Sequence, residues 1–142
     1  MYNVQENIVA LATVPGKSAL NVLRCSGPGV SQLYTKLIKS PTKPPPNFAH
    51  LKTIYNKNKI VDQMMLLFFQ APKSFTGQDM LELSIHGGII IVKKTVSIIE
   101  CFGFRQATPG EFSYRAFING KIDLIQAEAI ASIVDSNNNL DV

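Results

Sequence analysis

The first third of the chain shows two strand-like segments and then one helix-like segment. Apolar residues dominate Ile8 to Val14 and Ala19 to Cys25, and Pro15-Gly16 between them is typical of a turn. The second segment is apolar on both faces, which is typical of an interior strand. A short amphipathic helix is then predicted, because apolar residues recur at helical spacing at Val30, Leu33, Tyr34, Leu37 and Ile38.

A loop and a hairpin are predicted in the middle of the chain. The segment Ser40 to Asn47 contains four prolines and is typical of an extended surface loop. Two β-rich runs, Leu51 to Tyr55 and Ile60 to Phe69, flank a polar tetrapeptide at 56–59, which predicts a β-hairpin. The run Met64 to Phe69 is apolar on both faces, so we expect this strand in the interior of the sheet.

A lone carboxylate interrupts the next predicted strand, which ends at Gly87-Gly88. Successive side chains on a strand point to opposite faces, so Leu81, Leu83 and Ile85 share one face. We expect this apolar set to face the core. Glu82 lies on the other face, where it meets either solvent or a ligand that is complementary to an anion.

A helix is predicted after the glycine pair, with Gly103 well placed as its C-terminal cap. Its apolar stripe is formed by Ile89, Val92, Val96 and Ile99. The segment Thr108-Pro-Gly-Glu111 has the form of a capping box with proline at the first helical position. It predicts a second helix, which ends at Asn119-Gly120.

Asp123 and Gln126 are spaced as another capping pair, at the start of a helix from Leu124 to Val134. The apolar face of that helix is formed by Ala127, Ile130, Ala131 and Val134. Hairpins therefore alternate with helices along the chain. This pattern predicts an α+β fold with a mixed or antiparallel sheet and flanking helices.

The composition excludes several classes of protein. The chain has 142 residues, enough for one domain with a core, and no apolar run approaches the ~18 residues of a membrane span. Its net charge of +4 is too small to indicate a nucleic-acid surface by itself. Cys25 and Cys101 are expected to be reduced thiols, and with only two histidines no metal site is predicted.

Two segments resemble parts of known functional motifs, but the chain lacks the remaining residues of each motif. Gly16-Lys17-Ser18 resembles the end of a phosphate-binding P-loop, but the loop needs a glycine where Leu11 stands. His86-Gly87-Gly88 resembles an oxyanion loop, but the chain has no Gly-x-Ser-x-Gly elbow. No catalytic residue is therefore predicted in the chain, which favours a binding domain.

Several motifs in order resemble the N-terminal domain of the MnmE (TrmE) family, GTPases that modify the wobble uridine of certain tRNAs. The likeness runs from about Ile8 to Asp135. It is carried by Ile8-Val-Ala-Leu-Ala-Thr-Val-Pro-Gly16, Leu23-Arg-Cys-Ser-Gly27, Ser74-Phe-Thr-Gly-Gln-Asp79, Leu81-Glu-Leu-Ser-Ile-His-Gly-Gly88, Pro109-Gly-Glu-Phe-Ser113 and Arg115-Ala-Phe-Ile-Asn-Gly-Lys-Ile-Asp-Leu124.

The resemblance implies a two-part chain. Residues 1–121 correspond to a folate-binding and dimerisation domain, similar in fold to the folate-binding part of glycine-cleavage aminomethyltransferases. Residues 122–142 correspond to the start of a helical domain, whose remainder and inserted G domain the sequence lacks. The full-length protein is thus expected to hydrolyse GTP with magnesium and potassium in the G domain. The 142 residues are expected not to do so.

The resemblance also implies a ligand and its contacts, a formyl- or methylene-tetrahydrofolate bound by Arg24, Glu82 and Lys121. The residue types suit a folate, because a carboxylate accepts the adjacent N–H groups of a pterin as a bidentate pair. Arg24 and Lys121 suit the ring carbonyl and the glutamate tail, in either order. Arg24 lies at the end of the second predicted strand, where it would be partly buried and needs an acceptor. Gln78 departs from the family, which usually has Glu there.

The resemblance implies further partners: a second copy of the chain, an FAD-dependent MnmG-type protein, and tRNA, with no membrane. The absence of an N-terminal presequence favours a bacterial cytoplasm, with the mitochondrial matrix as the alternative. A dimerisation and RNA-docking scaffold, with folate binding incidental, is the alternative function. A freestanding folate-dependent aminomethyltransferase fits neither the length nor the C-terminal helix.

Overall fold

The computed structural model describes residues 3–13 and 20–130. Its strands are β1 (Asn7–Leu11), β2 (Asn21–Ser26), β3 (His50–Asn56), β4 (Lys59–Phe69), β5 (Met80–Ile85) and β6 (Phe104–Gln106). Its helices are α1 (Val30–Ile38), α2 (Ile89–Cys101), α3 (Glu111–Ile118) and a final helix, α4, at 124–130. The predicted turn at Pro15-Gly16 and the end of the final predicted helix lie outside the described residues.

The six strands form one mixed sheet in the order β3-β4-β5-β2-β1-β6. Only the β1–β6 pair is parallel among these strands, and the other pairs are antiparallel. The α+β prediction with a mixed sheet is therefore confirmed. As predicted, β2 and the second hairpin strand, β4, lie in the interior of the sheet. The three-residue strand β6 was not predicted.

Helices α1 and α2 cover one face of the sheet. Leu81, Leu83 and Ile85 are fully buried on that face, as predicted, against helix residues such as Leu33 and Val92. Side chains one position out of phase on each strand point to the opposite face, here called the open face. Glu82 is one of them.

The helix boundaries mostly agree with the capping signals. Gly103, with a φ of 92°, follows α2, and its N–H donates to the carbonyl of Glu100. Asp123 and Gln126 cap α4 reciprocally, with backbone N–H to side-chain oxygen distances of 2.9 and 2.7 Å. These two predictions are confirmed.

The start of α3 differs from its prediction. The helix begins at Glu111, and its N-cap is Gly110 in the left-handed region rather than Thr108. The carboxylate of Glu111 accepts the backbone N–H of Thr108 at 3.1 Å, which is half of a capping box. The Thr108 hydroxyl caps no backbone group, because Pro109 and Gly110 form a turn before the helix.

Candidate functional site

Arg24 and Glu82 lie side by side on the open face, although 58 positions separate them in sequence. The antiparallel register of β2 and β5 places them directly opposite each other. Nε and a terminal nitrogen of Arg24 donate to Oε2 of Glu82 at 3.2 and 3.0 Å. Glu82 on β5 is therefore the acceptor that Arg24, near the end of β2, was expected to need.

The ion pair is accessible to a ligand. The side chain of Arg24 is 35% exposed and that of Glu82 is 23% exposed. A pair with this exposure contributes at most ~1 kcal/mol to stability. Within the described part of the chain, Oε1 of Glu82 accepts no hydrogen bond, so the carboxylate keeps an oxygen for another donor.

A cavity of about 380 Å³ opens beside this pair. Arg24 and Glu82 form one wall, and the aromatic side chains of Phe69 and Phe75 contribute to the rest. Asn47, Lys73, Ser74 and Met80 complete the lining. The volume is within the ~300–1,000 Å³ of small-molecule sites. Charged groups that meet aromatic surface suit a flat, polar heterocycle.

A second cavity, of about 430 Å³, shares Arg24 and Phe75 with the first. It extends along the end of β1 toward the start of α3 and reaches Ile130 on α4. Arg24 therefore stands at the boundary of two adjoining cavities. Together they provide an elongated site with a cation near its middle.

Lys121 lies apart from the other two predicted residues. It lines neither cavity, and its Nζ donates to the carbonyl oxygen of Pro72 at 3.0 Å. Pro72 belongs to the loop 70–79, whose residues Lys73, Ser74 and Phe75 line the first cavity. The structure thus brings Arg24 and Glu82 together and places Lys121 against the loop that borders them.

The loop 70–79 is held by side chains of the neighbouring elements. The hydroxyls of Ser26 and Thr76 are 2.8 Å apart and hydrogen-bonded, and Asn119 donates to the carbonyl of Thr76 at 2.7 Å. Gly77 has a φ of 81°, and a Cβ added there would come within 2.9 Å of the Asn119 Cβ. A side chain at this position would therefore push the loop away from α3.

Gln78 anchors the same loop from inside. Its Oε1 accepts from Arg115 at 2.9 Å and from the Ser26 hydroxyl at 2.8 Å. Its Nε2 donates to the carbonyl of Val4 at 2.6 Å. A glutamate would keep the first two bonds but has no hydrogen for the third. The amide therefore acts as a structural link that joins the N-terminal segment, β2 and α3.

A buried ion network lies behind the second cavity, and the sequence did not reveal it. Glu111 and Arg115 are both fully buried, and Oε2 of Glu111 lies 3.2 Å from Arg115 and 2.6 Å from Arg105. Exposed Glu6 also pairs with Arg105 at 2.6 Å. The one local signal was the spacing of Glu111 and Arg115, four residues apart on a helix.

The network shifts the pKa values of its members. Burial by itself would raise the pKa of Glu111, but hydrogen bonds from Arg105 and Thr108, together with the charges of Arg105 and Arg115, hold that pKa below its ordinary value. Hydrogen bonds to Glu111 and Glu6 raise the pKa of Arg105. Burial lowers the pKa of Arg115, an effect that Glu111 partly offsets. Glu111 is therefore an anion that two arginines share.

The two cysteines differ in environment. Cys25 is buried in the core, and burial raises the pKa of its thiol, whereas Cys101 is exposed at the end of α2. Among the described residues, no three or more His, Cys, Asp or Glu side chains are grouped so that they could hold a metal ion. No helix in residues 3–13 or 20–130 is long and apolar enough to cross a membrane.

Comparison with known proteins places the sequence in a family. The family described as GTP-binding protein TrmE N-terminus matches residues 7–121. The tRNA modification GTPase MnmE of Aquifex aeolicus is 42% identical over 138 residues, which cover 96% of the chain and 31% of that protein. The MnmE of Chlamydia felis is 43% identical over 137 residues, 94% of the chain and 30% of that protein.

A third relative agrees. The tRNA modification GTPase MnmE of Thermotoga maritima is 41% identical over 131 residues, which cover 92% of the chain and 29% of that protein. The chain therefore spans about 30% of the length of these curated relatives. The segments that resembled the family in sequence include most of β2 and β5 and part of the loop 70–79, and these elements contribute to the cavity wall.

Proposed function

Because the chain belongs to the family of GTP-binding protein TrmE N-terminal domains, we propose that it binds a tetrahydrofolate derivative and forms a homodimer. It does so as part of a GTPase that modifies the C5 position of the wobble uridine in tRNA. Its relatives are tRNA modification GTPases, which supports the GTPase and tRNA parts of this proposal. The single observation that supports the folate site is the Arg24–Glu82 pair at the wall of an aromatic cavity.

The donor set of the cavity fits a folate. A pterin presents a ring N–H beside an exocyclic amine, and a carboxylate with accessible oxygens accepts both. Glu82 has such a carboxylate, and its bond to Arg24 fixes its orientation. Phe69 and Phe75 offer apolar surface to the flat ring. In this proposal Glu82 selects the heterocycle.

Arg24 and Lys121 serve the remaining polar groups of the ligand. The position of Arg24 between the two cavities allows its guanidinium to donate to the ring carbonyl or to a tail carboxylate. Lys121 contacts the loop 70–79, so we propose that it meets the tail at the loop's edge after releasing Pro72. The bound folate would supply the one-carbon unit.

The other steps belong to parts of the protein outside this chain. We propose that the G domain binds GTP with magnesium and potassium, that an FAD-dependent MnmG-type partner supplies redox chemistry, and that tRNA meets the whole assembly. A bacterial cytoplasm is the proposed location, with the mitochondrial matrix as the alternative. The proposed boundary between the folate-binding and helical parts, at residues 121 and 122, falls just before α4.

Calorimetry with 5-formyl-tetrahydrofolate tests the folate site. We expect Glu82→Gln to weaken binding by about tenfold or more, since a charge-assisted pair of hydrogen bonds is lost. The melting temperature should change little, because the ion pair is partly exposed. Glu100→Gln, an exposed carboxylate on α2, is the matched control and should bind like the unmodified chain.

Two results would contradict the proposal. If the folded, unmodified chain does not bind 5-formyl-tetrahydrofolate, a folate is not its ligand. If Glu82→Gln binds it as tightly as the unmodified chain does, the site at Glu82 is wrong. A gel-shift experiment with tRNA distinguishes the alternative function from the proposed folate binding. Tight, salt-sensitive binding of tRNA by the chain, without any folate binding, would favour a dimerisation and RNA-docking scaffold.

A further inference from the structure

A groove of about 970 Å³ lies at the end of the β3–β4 hairpin, between that hairpin and helices α1 and α2. It is on the helix-covered side of the sheet, away from Arg24 and Glu82. Six lysines line it, out of 14 Lys and Arg residues in the whole chain. They are Lys36, Lys39, Lys57, Lys59, Lys93 and Lys94. We call this surface the lysine groove.

The positive charge of the lysine groove is not balanced locally. No carboxylate is among its lining residues, and none of the six lysines forms an ion pair within the described parts of the chain. Lys36 lies over the ring of Phe102 at 5.3 Å, and Lys39 lies over the ring of Tyr55 at 5.6 Å. These contacts orient two ammonium groups without neutralising them.

The floor of the lysine groove is apolar. Ile60 and Ile90, exposed by 67% and 69%, are its most accessible apolar side chains. Val61, Ile98 and Phe102 extend the apolar surface. Large side chains exposed together inside a charged rim are typical of a protein-binding surface.

We propose that the lysine groove docks an acidic amphipathic helix of a partner protein. The apolar face of such a helix would cover Ile60 and Ile90, and its flanking carboxylates would meet the lysines. The lysines come from three separate parts of the fold, the end of α1, the β3–β4 hairpin and α2, so they match a row of spaced anions better than one small anion. This is the helix-in-groove mode of recognition, with charge complementarity at the rim.

The apolar floor favours a helix over RNA. A phosphate backbone would use the lysines but would leave the exposed isoleucines uncovered or in contact with its polar groups. An amphipathic helix uses both features at once. The two occupants therefore predict different results when an isoleucine is changed.

Fluorescence anisotropy with a labelled peptide of about 15 residues tests the proposal. The peptide carries leucines at helical spacing on one face and glutamates on both flanks. We expect it to bind the 142-residue chain. The double variant Lys59→Glu with Lys93→Glu should weaken binding by about tenfold or more, because like charges then meet at the rim. Ile90→Ser should also weaken it severalfold, since apolar contact is lost.

The matched control is Lys43→Glu with Lys52→Glu, which reverses two exposed lysines outside the lysine groove. Its affinity for the peptide should fall far less than that of the groove variant. Equal losses in both double variants would show a nonspecific charge effect and overturn the proposal. So would a failure of the acidic peptide to bind, or equal binding of a peptide with serines in place of its leucines.

Cys101 provides an independent readout, because it is exposed and lines the lysine groove, whereas Cys25 is buried. The acidic peptide should protect Cys101 from a thiol reagent. An RNA oligonucleotide that protects it better, with no effect of Ile90→Ser, would assign the groove to nucleic acid and overturn the proposal. If Cys101 is already protected without any peptide, and this protection is lost on dilution, the groove binds a second copy of the chain. That result would also overturn the proposal.

Discussion

At the scale of single residues, two glutamates show how strongly surroundings determine a role. Glu82 is partly exposed and bonds to Arg24 through one carboxylate oxygen, so it can still accept from a ligand. Glu111 is fully buried and bonds to Arg105 through both oxygens. The first is suited to binding, whereas the second holds β6 and α3 together.

Replacing Glu111 should destabilise the fold strongly. Glu111→Gln would leave buried Arg115 without its carboxylate partner, and breaking a buried pair in this way costs about 3–5 kcal/mol. Glu6→Gln removes an exposed partner of Arg105 and should cost less than about 1 kcal/mol. Urea unfolding of both variants measures the difference. Equal losses would show that the buried pair contributes no more than the exposed one.

The lowered pKa of Glu111 also predicts a pH dependence. Its unfolded carboxyl titrates near the ordinary value of 4.5, and its folded pKa is lower, so the unfolded state binds the proton first. The stabilisation is thus complete above 4.5 and is lost as the pH falls through the folded pKa. The stability gap between the unmodified chain and Glu111→Gln should therefore shrink on acidification. A gap that stays constant below pH 4.5 would contradict this assignment.

At the scale of elements, the start of α3 depends on backbone conformation more than on a side-chain cap. Gly110 has a φ of 80°, in the left-handed region that costs other residues about 1–2 kcal/mol. Thr108 is exposed, and its hydroxyl makes only a 3.4 Å bond to Glu111. The turn before the helix therefore relies on the glycine.

Two substitutions separate these contributions. Gly110→Ala should lower the free energy of unfolding by about 1–2 kcal/mol through backbone strain, since its Cβ would meet no other atom. Thr108→Ala should change it by no more than about 0.5 kcal/mol. Thermal or urea unfolding checks both values. A larger decrease in the free energy of unfolding for Thr108→Ala would show that Thr108 does cap the helix.

At the scale of the whole molecule, the two faces of the sheet differ in what they carry. The helix-covered face contains the core and the lysine groove. On the open face, Met65 and Leu51 are register partners that remain 42% and 57% exposed. This apolar surface supports the proposed homodimer, because it lies on the same face as Arg24 and Glu82.

We therefore predict that the chain sediments at twice its mass of 15.6 kDa. Met65→Glu should shift it toward the monomer, since a charge would be buried at the open face. Ile60→Glu changes a more exposed apolar residue, in the lysine groove, and should leave the dimer intact. Analytical ultracentrifugation measures both variants. Dissociation by Ile60→Glu alone would move the dimer interface to the groove.

The local pattern determined the elements. Apolar β-rich runs predicted β2 and the hairpin, helical spacing predicted α1, and the signals at Gly103 and Asp123 located helix ends, because these features depend on neighbours within one turn or strand. The short strand β6 escaped prediction. Its three residues are too few to show a period, and its pairing with β1 is made by a segment distant in sequence.

Tertiary structure decided which distant side chains meet. The strand register, fixed by core packing along β2 and β5, placed Arg24 against Glu82. Lys121 was assigned to the same ligand by motif alone, and its contact with Pro72 follows from the loop's position. The net charge did not predict that six lysines line one groove, because folding brings together charges that lie far apart in the sequence. The periodicity of apolar residues is a local property that can be read from the sequence. Which distant side chains meet depends on how the whole chain packs.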